Sequence, residues 1–338
     1  DTIAAGNQYV FLSMAGVPRS KREGQNMLCV IDPAARNAAV TVEPLPRLEG
    51  KTYTPSLQLL TVTSNFTPIS GETAVFKLSQ SLADKTAIFA VPVRVYQNTV
   101  PLKLFQGEEK TGKDISVALE SVTAADIGPD GKAMIVALLN TSQNSAYLVE
   151  TSLTDSHQES YVLSNQGSRI SGVVYSPNGS RILYVREHGD SSQSLWLVPS
   201  KKYDGTSTKD LTRDGVQVAE GRFIVSRKPF SPDNRSITYA AATITGRSDL
   251  FLTAIDAVGT PLELGQGYSP CWHNRGNYIV ALAEDRGQES QLFAIETKPP
   301  YRRKQLSFVS GGLQNHCDIT ADGRWAVAVL QDPNSNSV

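Results

Sequence analysis

The sequence is poor in the residues that usually announce chemistry. Its 338 residues include three cysteines, four histidines, three methionines and three tryptophans. Cys29, Cys271 and Cys317 are too few for a disulfide framework and stand in no metal-type pairing. Cys271 and Cys317 occupy nearly equivalent places in adjacent repeats, which reads as small buried residues rather than ligands. Charge is close to balanced, with a formal net charge of −1, so no global field favours nucleic acid or an anionic membrane. The densest basic stretch, Arg302-Arg303-Lys304, reads as a solvated turn before a strand. No run approaches the roughly 18 apolar residues of a bilayer-spanning helix. Asp1-Thr2-Ile3-Ala4 shows no basic region followed by an apolar stretch, so a signal peptide, had there been one, is already removed. Neither a Gly-x-Ser-x-Gly elbow nor a His-x-His or His-Glu-x-x-His spacing occurs, and no cofactor or metal is expected. What is present is globular composition, 40% hydrophobic and 19% charged, enough for a sizeable core.

A phrase then recurs along the chain: an apolar anchor, a turn of the Ser-Pro-Asp-Gly kind, one or two polar residues and an apolar strand. Tyr175-Ser176-Pro177-Asn178-Gly179 leads into Ile182 to Val185, and Phe230-Ser231-Pro232-Asp233-Asn234 into Ser236 to Tyr239. Ile127-Gly128-Pro129-Asp130-Gly131 and Ile319-Thr320-Ala321-Asp322-Gly323 are further copies. Trp272 to Asn277 and Leu82 to Thr86 are degraded ones. The turns fall near 84, 130, 178, 233, 275 and 322, a period of roughly 40–55 residues that suits propeller blades. Proline presets φ, and Asp or Asn followed by Gly tolerates the left-handed values of a tight hairpin. Apolar–polar alternation on the following strand is expected to bury one face and wet the other.

A third strand follows in each repeat, as in Ser194 to Val198, Asp249 to Thr253, Gln291 to Ile295 and Ala146 to Val149, and then a short fourth, as in Lys209 to Thr212 and Lys304 to Ser307. No helical period separates them, so the expected fold is all-β, a single β-propeller of six or seven four-stranded blades over residues 1–338. Residues 1–80 form an irregular N-terminal blade and closure strands, 81–330 the regular blades and 331–338 a tail. Asn7 to Ser13 and Asn26 to Ile31 read as strands that complete the last blade and leave no open edge. Leu57 to Thr63 could belong to a seventh blade.

These repeats resemble the TolB-like propeller units related to WD repeats, marked by Ser-Pro-Asp-Gly before strand two and Leu-Thr near the blade's end. The matching pieces are Tyr175 to Gly179, Phe230 to Asp233 and Asp210-Leu211-Thr212. The resemblance is good over roughly 120–330 and poor over the first 80 residues. It implies a propeller, shared by transport accessory proteins, peptidases and polysaccharide lyases alike.

The innermost strand of a propeller blade lines the channel. Three residues before the anchor the repeats offer Ala124, Gly172, Arg227, Ser269 and His316. Arg227 and His316 are candidates to bind an anion or a carboxylate there, with Arg169, Arg222 and Tyr268 near the mouth; channel hydration is the plainer alternative. Asp318 lies two residues from His316, which places both on one strand face and suggests an acid–base pair. His157, His188 and His273 read as solvent-facing, and Trp196, Trp272 and Trp325 as core.

The expected function is a non-enzymatic protein–protein interaction or scaffold propeller, exported to the periplasm or cell surface, with a protein partner and no nucleic acid. The rivals are a lyase-type carbohydrate-active enzyme with a saccharide in the funnel near His316, Arg227 and Arg222, and the propeller portion of a prolyl-oligopeptidase-like enzyme.

Overall fold

The structure, a computed structural model, describes the strands of residues 2–106 and 158–162 as backbone. It describes residues 121–330 more fully, outside 141–144, 154–157, 163–167, 191, 201–214, 244–245, 257–258, 285–288 and 321. It is all-β in those residues. One four-stranded sheet joins β1 (Thr2–Ala5), β2 (Val10–Met14), β3 (Met27–Ile31) and β4 (Val40–Pro44) in that order. A second joins β5 (Ser56–Thr63), β6 (Thr73–Ser79), β7 (Thr86–Pro92) and β8 (Leu102–Gln106). β9 (Ser121–Ile127), β10 (Ala133–Asn140), β11 (Ser145–Ser152) and β12 (Gln158–Val162) make the third. β13 (Arg169–Tyr175), β14 (Arg181–Glu187), β15 (Gln193–Pro199) and β16 (Val216–Gly221) make the fourth. The fifth is β17 (Phe223–Ile224), β18 (Ser236–Ala242), β19 (Ser248–Ala254) and β20 (Leu262–Gln266). The sixth is β21 (Tyr268–Trp272), β22 (Tyr278–Ala283), β23 (Gln291–Glu296) and β24 (Arg303–Gln305). Last, β25 (Leu313–Ile319) pairs with β26 (Ala326–Leu330).

The chain divides into two compact units, Gly6–Ala219 with Asp1–Thr2, and Glu220–Val338 with Ile3–Ala5. The expected turn at Leu82 to Lys85, the fourth strand at Lys209 to Thr212, His157 and the tail 331–338 lie outside the described residues.

The recurring phrase is a hydrogen-bonded device. Ser176 Oγ donates to Asn178 Oδ1 at 2.9 Å and accepts the Arg181 N–H at 2.9 Å. Ser231 does the same to Asp233 and Ser236, at 2.6 and 2.9 Å, and Thr320 to Asp322 and Trp325, at 2.6 and 3.1 Å. The Asx oxygen also takes the N–H two residues on, from Ser180, Arg235 and Arg324. These hydroxyl bonds are the largest reason the Asp233 and Asp322 carboxyls sit below the usual carboxylate range. At the next position the backbone is left-handed, at φ 77° for Gly179, 58° for Asn234 and 72° for Gly323. His273 replaces the hydroxyl in one repeat, its Nδ1 accepting the Arg275 N–H at 3.1 Å. Neighbouring turns also touch, since a Cβ on Gly323 would lie 2.5 Å from His273 Nε2.

The second strands depart from the alternation expected of them. Ile182, Leu183, Tyr184 and Val185 are 0, 1, 1 and 4% exposed, so neither face of this strand is wet. In the first unit, Ile135, Ala137 and Leu148 of one sheet pack against Ile170, Tyr175, Ile182 and Tyr184 of the next. In the second, Leu250 and Leu264 pack against Trp272, Ile279 and Ile295, and Val280 and Leu282 against Leu313 and Ile319. Trp196 lies over Tyr184, with ring centroids 6.5 Å apart, and Trp272 is buried, whereas Trp325 is 45% exposed.

Ser176 is 1% exposed. Ser176→Ala leaves the Arg181 N–H without its side-chain partner and should cost about 1–2 kcal/mol, read as a lower urea midpoint with an unchanged slope.

Candidate functional site

The second unit gathers most of the candidate residues around β25 and the segment 225–229. Asp318 stands one residue before the anchor Ile319, and its Oδ1 accepts the Ile319 N–H at 2.7 Å. Lys228 Nζ lies 3.1 Å from the same oxygen and also donates to the Ile319 carbonyl. The Asp318 side chain is 3% exposed and that of Lys228 31%. The first unit shows what an aspartate does at this position. Asp126 takes the Ile127 N–H at 2.9 Å and, across to β13, the Tyr175 N–H at 2.8 Å. Elsewhere a backbone carbonyl serves instead, Lys228 O accepting the Trp272 N–H at 3.1 Å. Asp126 is therefore a strand-to-strand fastener, whereas Asp318 holds the Ile319 N–H and has its buried charge compensated by Lys228.

His316 lies where β25 breaks register, between the pairs Gln314–Val329 and Cys317–Ala328. A bulge of this kind interrupts the period-two alternation, so the expected sharing of one face does not hold. His316 keeps exposed surface while Asp318 is 2% exposed. The inner strands β9, β13 and β21 carry comparable irregularities. Crowding by protein atoms, and then the positive charge of Arg227, push the His316 imidazole below its ordinary value. Arg227 thus lies close enough to His316 to disfavour its protonation, with Lys228, bound to Asp318, next along the chain; at neutral pH the Arg227 guanidinium is the charge suited to a carboxylate or phosphate.

The other expected residues are placed differently. Tyr268 opens β21, and its hydroxyl donates to Ser290 Oγ at 2.7 Å and reaches the Leu313 carbonyl at 3.0 Å. Those bonds make it a brace between β21 and β25, and burial pushes its hydroxyl up. Arg222 is exposed between β16 and β17, and Arg169 is exposed at the start of β13 in the other unit. His188 is half-buried, its Nε2 lying 2.8 Å from Ser194 Oγ. Among the described residues no three His, Cys, Asp or Glu side chains converge as metal ligands, and no helix is long and apolar enough to cross a membrane.

A second surface has no counterpart in the expectations drawn from the sequence. After β24, Leu306 is 43% and Phe308 81% exposed. The segment that carries them is fastened from beneath by Gln291, 7% exposed. Its Nε2 donates to the Val309 carbonyl at 2.7 Å, while its Oε1 accepts from Ser307 Oγ at 2.8 Å and the Val309 N–H at 3.1 Å. The Leu292 N–H adds a bond to Ser307 Oγ at 2.8 Å. Arg302, Arg303 and Lys304 beside it are exposed, as expected, though the Arg303 guanidinium also binds the Gln266 and Leu264 carbonyls.

The sequence matches no protein-family model and no curated protein sequence. Solved structures do match. The propeller domain of the trilobed protease from Pyrococcus furiosus aligns with a TM-score of 0.59 at 8% identity, over 94% of this chain and 88% of that one. Its fold is a β-propeller. TolB from Acinetobacter baumannii aligns at 0.51 and 12% identity, over 92% of this chain and 71% of that one. Oligogalacturonate lyase from Vibrio parahaemolyticus aligns at 0.54 and 9%, over 98% and 80%. The TolB-like resemblance of the repeats thus has its counterpart among propellers of known structure.

Lys228→Met leaves Asp318 as a buried carboxylate without its cation and should destabilise the protein by about 1–3 kcal/mol, less than for a fully buried pair because Lys228 is partly solvated; Lys228→Arg should recover most of this in the same urea titration. Because the His316 pKa is lowered on folding, the unfolded chain takes up its proton first as pH falls through 6.5. That contribution to stability is intact above 6.5, declines below it and levels off once the folded-state value is passed. Urea midpoints measured from pH 7.5 to 5 should show the decline, and His316→Gln should flatten it.

Proposed function

We propose that this chain is a non-enzymatic protein-interaction propeller, exported to the periplasm or cell surface, with residues 1–338 as one domain. The observation that carries this reading is Phe308, 81% exposed on a segment fastened by a buried glutamine. Large aromatic side chains held rigidly in solvent are anchors for a protein partner, since little ordering entropy remains to be lost on docking. The TolB-like character of the repeats supports an envelope setting. Seven sheets support seven blades rather than six. The strands expected to complete the last blade, Asn7 to Ser13 and Asn26 to Ile31, pair instead with each other, within the β1–β4 sheet.

A second reading rests on the Arg227–His316 group. The oligogalacturonate lyase neighbour supports an acidic saccharide there, with a carboxylate facing the Arg227 guanidinium and His316 beside it. The two readings separate cleanly. In crosslinking mass spectrometry on native extract, the first expects one envelope protein crosslinked near residues 302–309, with recovery falling at least tenfold in Phe308→Asp. Recovery unchanged in Phe308→Asp would refute that surface. Cleavage of acidic polysaccharide by the wild type, lost in His316→Ala, would establish the second.

A further inference from the structure

Cys271 and Cys317 sit on the neighbouring inner strands β21 and β25, and the structure has them as free, buried thiols. Each reaches into the other's strand. Cys271 Sγ lies 3.2 Å from the Cys317 carbonyl, and Cys317 Sγ lies 3.0 Å from the Ser269 carbonyl. The Cys317 N–H is held by Ser269 Oγ at 3.1 Å. Adjacent strands of neighbouring sheets, each touched on its backbone by the other's cysteine sulfur, bring the two sulfurs towards the range a disulfide spans. The sheet that Cys317 belongs to has only β25 and β26 among the described residues, and a two-stranded ribbon has little stability of its own.

We propose that Cys271 and Cys317 form a disulfide-exchange site whose oxidised form staples β25 to β21. The oxidant is a disulfide, small-molecule or protein. One cysteine thiolate attacks a sulfur of that disulfide, its S–S bond breaks and one thiolate leaves. The second cysteine, deprotonated, then attacks the mixed disulfide, closing Cys271–Cys317 and releasing the other oxidant thiol. Two cysteine protons pass to the two leaving thiolates, and two electrons reduce the oxidant. The neighbouring Cys271 thiol, and then burial, push the Cys317 thiol well above its usual range. The exchange therefore belongs to the stage of folding before the strands are covered, and the folded, reduced protein resists it. The closed loop joins residues 46 apart in sequence, long enough for a substantial loss of unfolded-chain freedom.

The test is to refold the chain in a glutathione redox buffer, alkylate, and map the peptides without reduction. The expected result is a Cys271–Cys317 linked peptide, alkylation at Cys29 alone, and a Tm higher by about 5 °C that is lost on reduction and in Cys317→Ser. A Cys29→Ser chain should keep the link. Three alkylated cysteines, or a link that involves Cys29, would overturn the proposal. Should refolding fail, the same map is made on folded protein held with oxidised glutathione in sub-denaturing urea, where three alkylated cysteines would equally overturn it.

Discussion

The hydroxyl of Ser176, Ser231 or Thr320, at the head of three of the hairpins, sets the geometry on which their sheets depend. As donor to an Asx oxygen and acceptor from the residue five positions on, it closes a ring that reverses the chain in one conformation. Register follows from that reversal: Tyr175 falls opposite Ile182 and the rest of β13 opposite β14. A slip of one residue would turn every side chain of the second strand to the wrong neighbour. With both faces of that strand covered, no slipped arrangement is tolerable. The short-range bond and the two-sided core are mutually consistent, and such agreement between local and global preference makes a repeat foldable.

Much of the architecture was legible because the turn chemistry is local. Proline, Asx and glycine at fixed offsets announce a hairpin whatever surrounds them, and copies at 130, 178, 233 and 322 leave little room for another fold. What surrounds a strand is a different matter. Ile182 to Val185 are buried on both faces, and the residues known to cover one of them, Ile135, Ala137 and Leu148, belong to another sheet, so alternation was the wrong guide there. The bulge before each anchor left no composition signal, and it changed the meaning of the spacing between His316 and Asp318. Lys228 was equally illegible, because its partner lies 90 residues away (228 to 318). Tyr268 was read as a candidate near the channel mouth; it opens β21, and only its partners Ser290 and Leu313 reveal a brace.

The two surfaces of the second unit differ in physical kind. Around Arg227 and His316 the surface is polar and carries the Arg227 charge, so any ligand must match it electrostatically and would be sensitive to ionic strength. Around Phe308 the anchor is apolar and its support rigid, so affinity there comes from area removed from water and varies little with salt. A propeller fold accommodates either, since the sheets are scaffold and the segments joining them carry the specificity.

The hairpin at 176–181 has an amide where three of its relatives, at Asp130, Asp233 and Asp322, have a carboxylate. Asn178 is followed by Gly179 and is exposed, the setting in which asparagine most readily loses its amide nitrogen to hydrolysis. Its Oδ1 alone accepts the bonds from Ser176 and Ser180, and that oxygen survives conversion to aspartate. Chemical ageing at this site would add one negative charge and turn the repeat into a copy of its neighbours at 233 and 322, leaving the hairpin intact. The isomerised product, with its backbone routed through the side chain, would consume that same oxygen's position and open the turn.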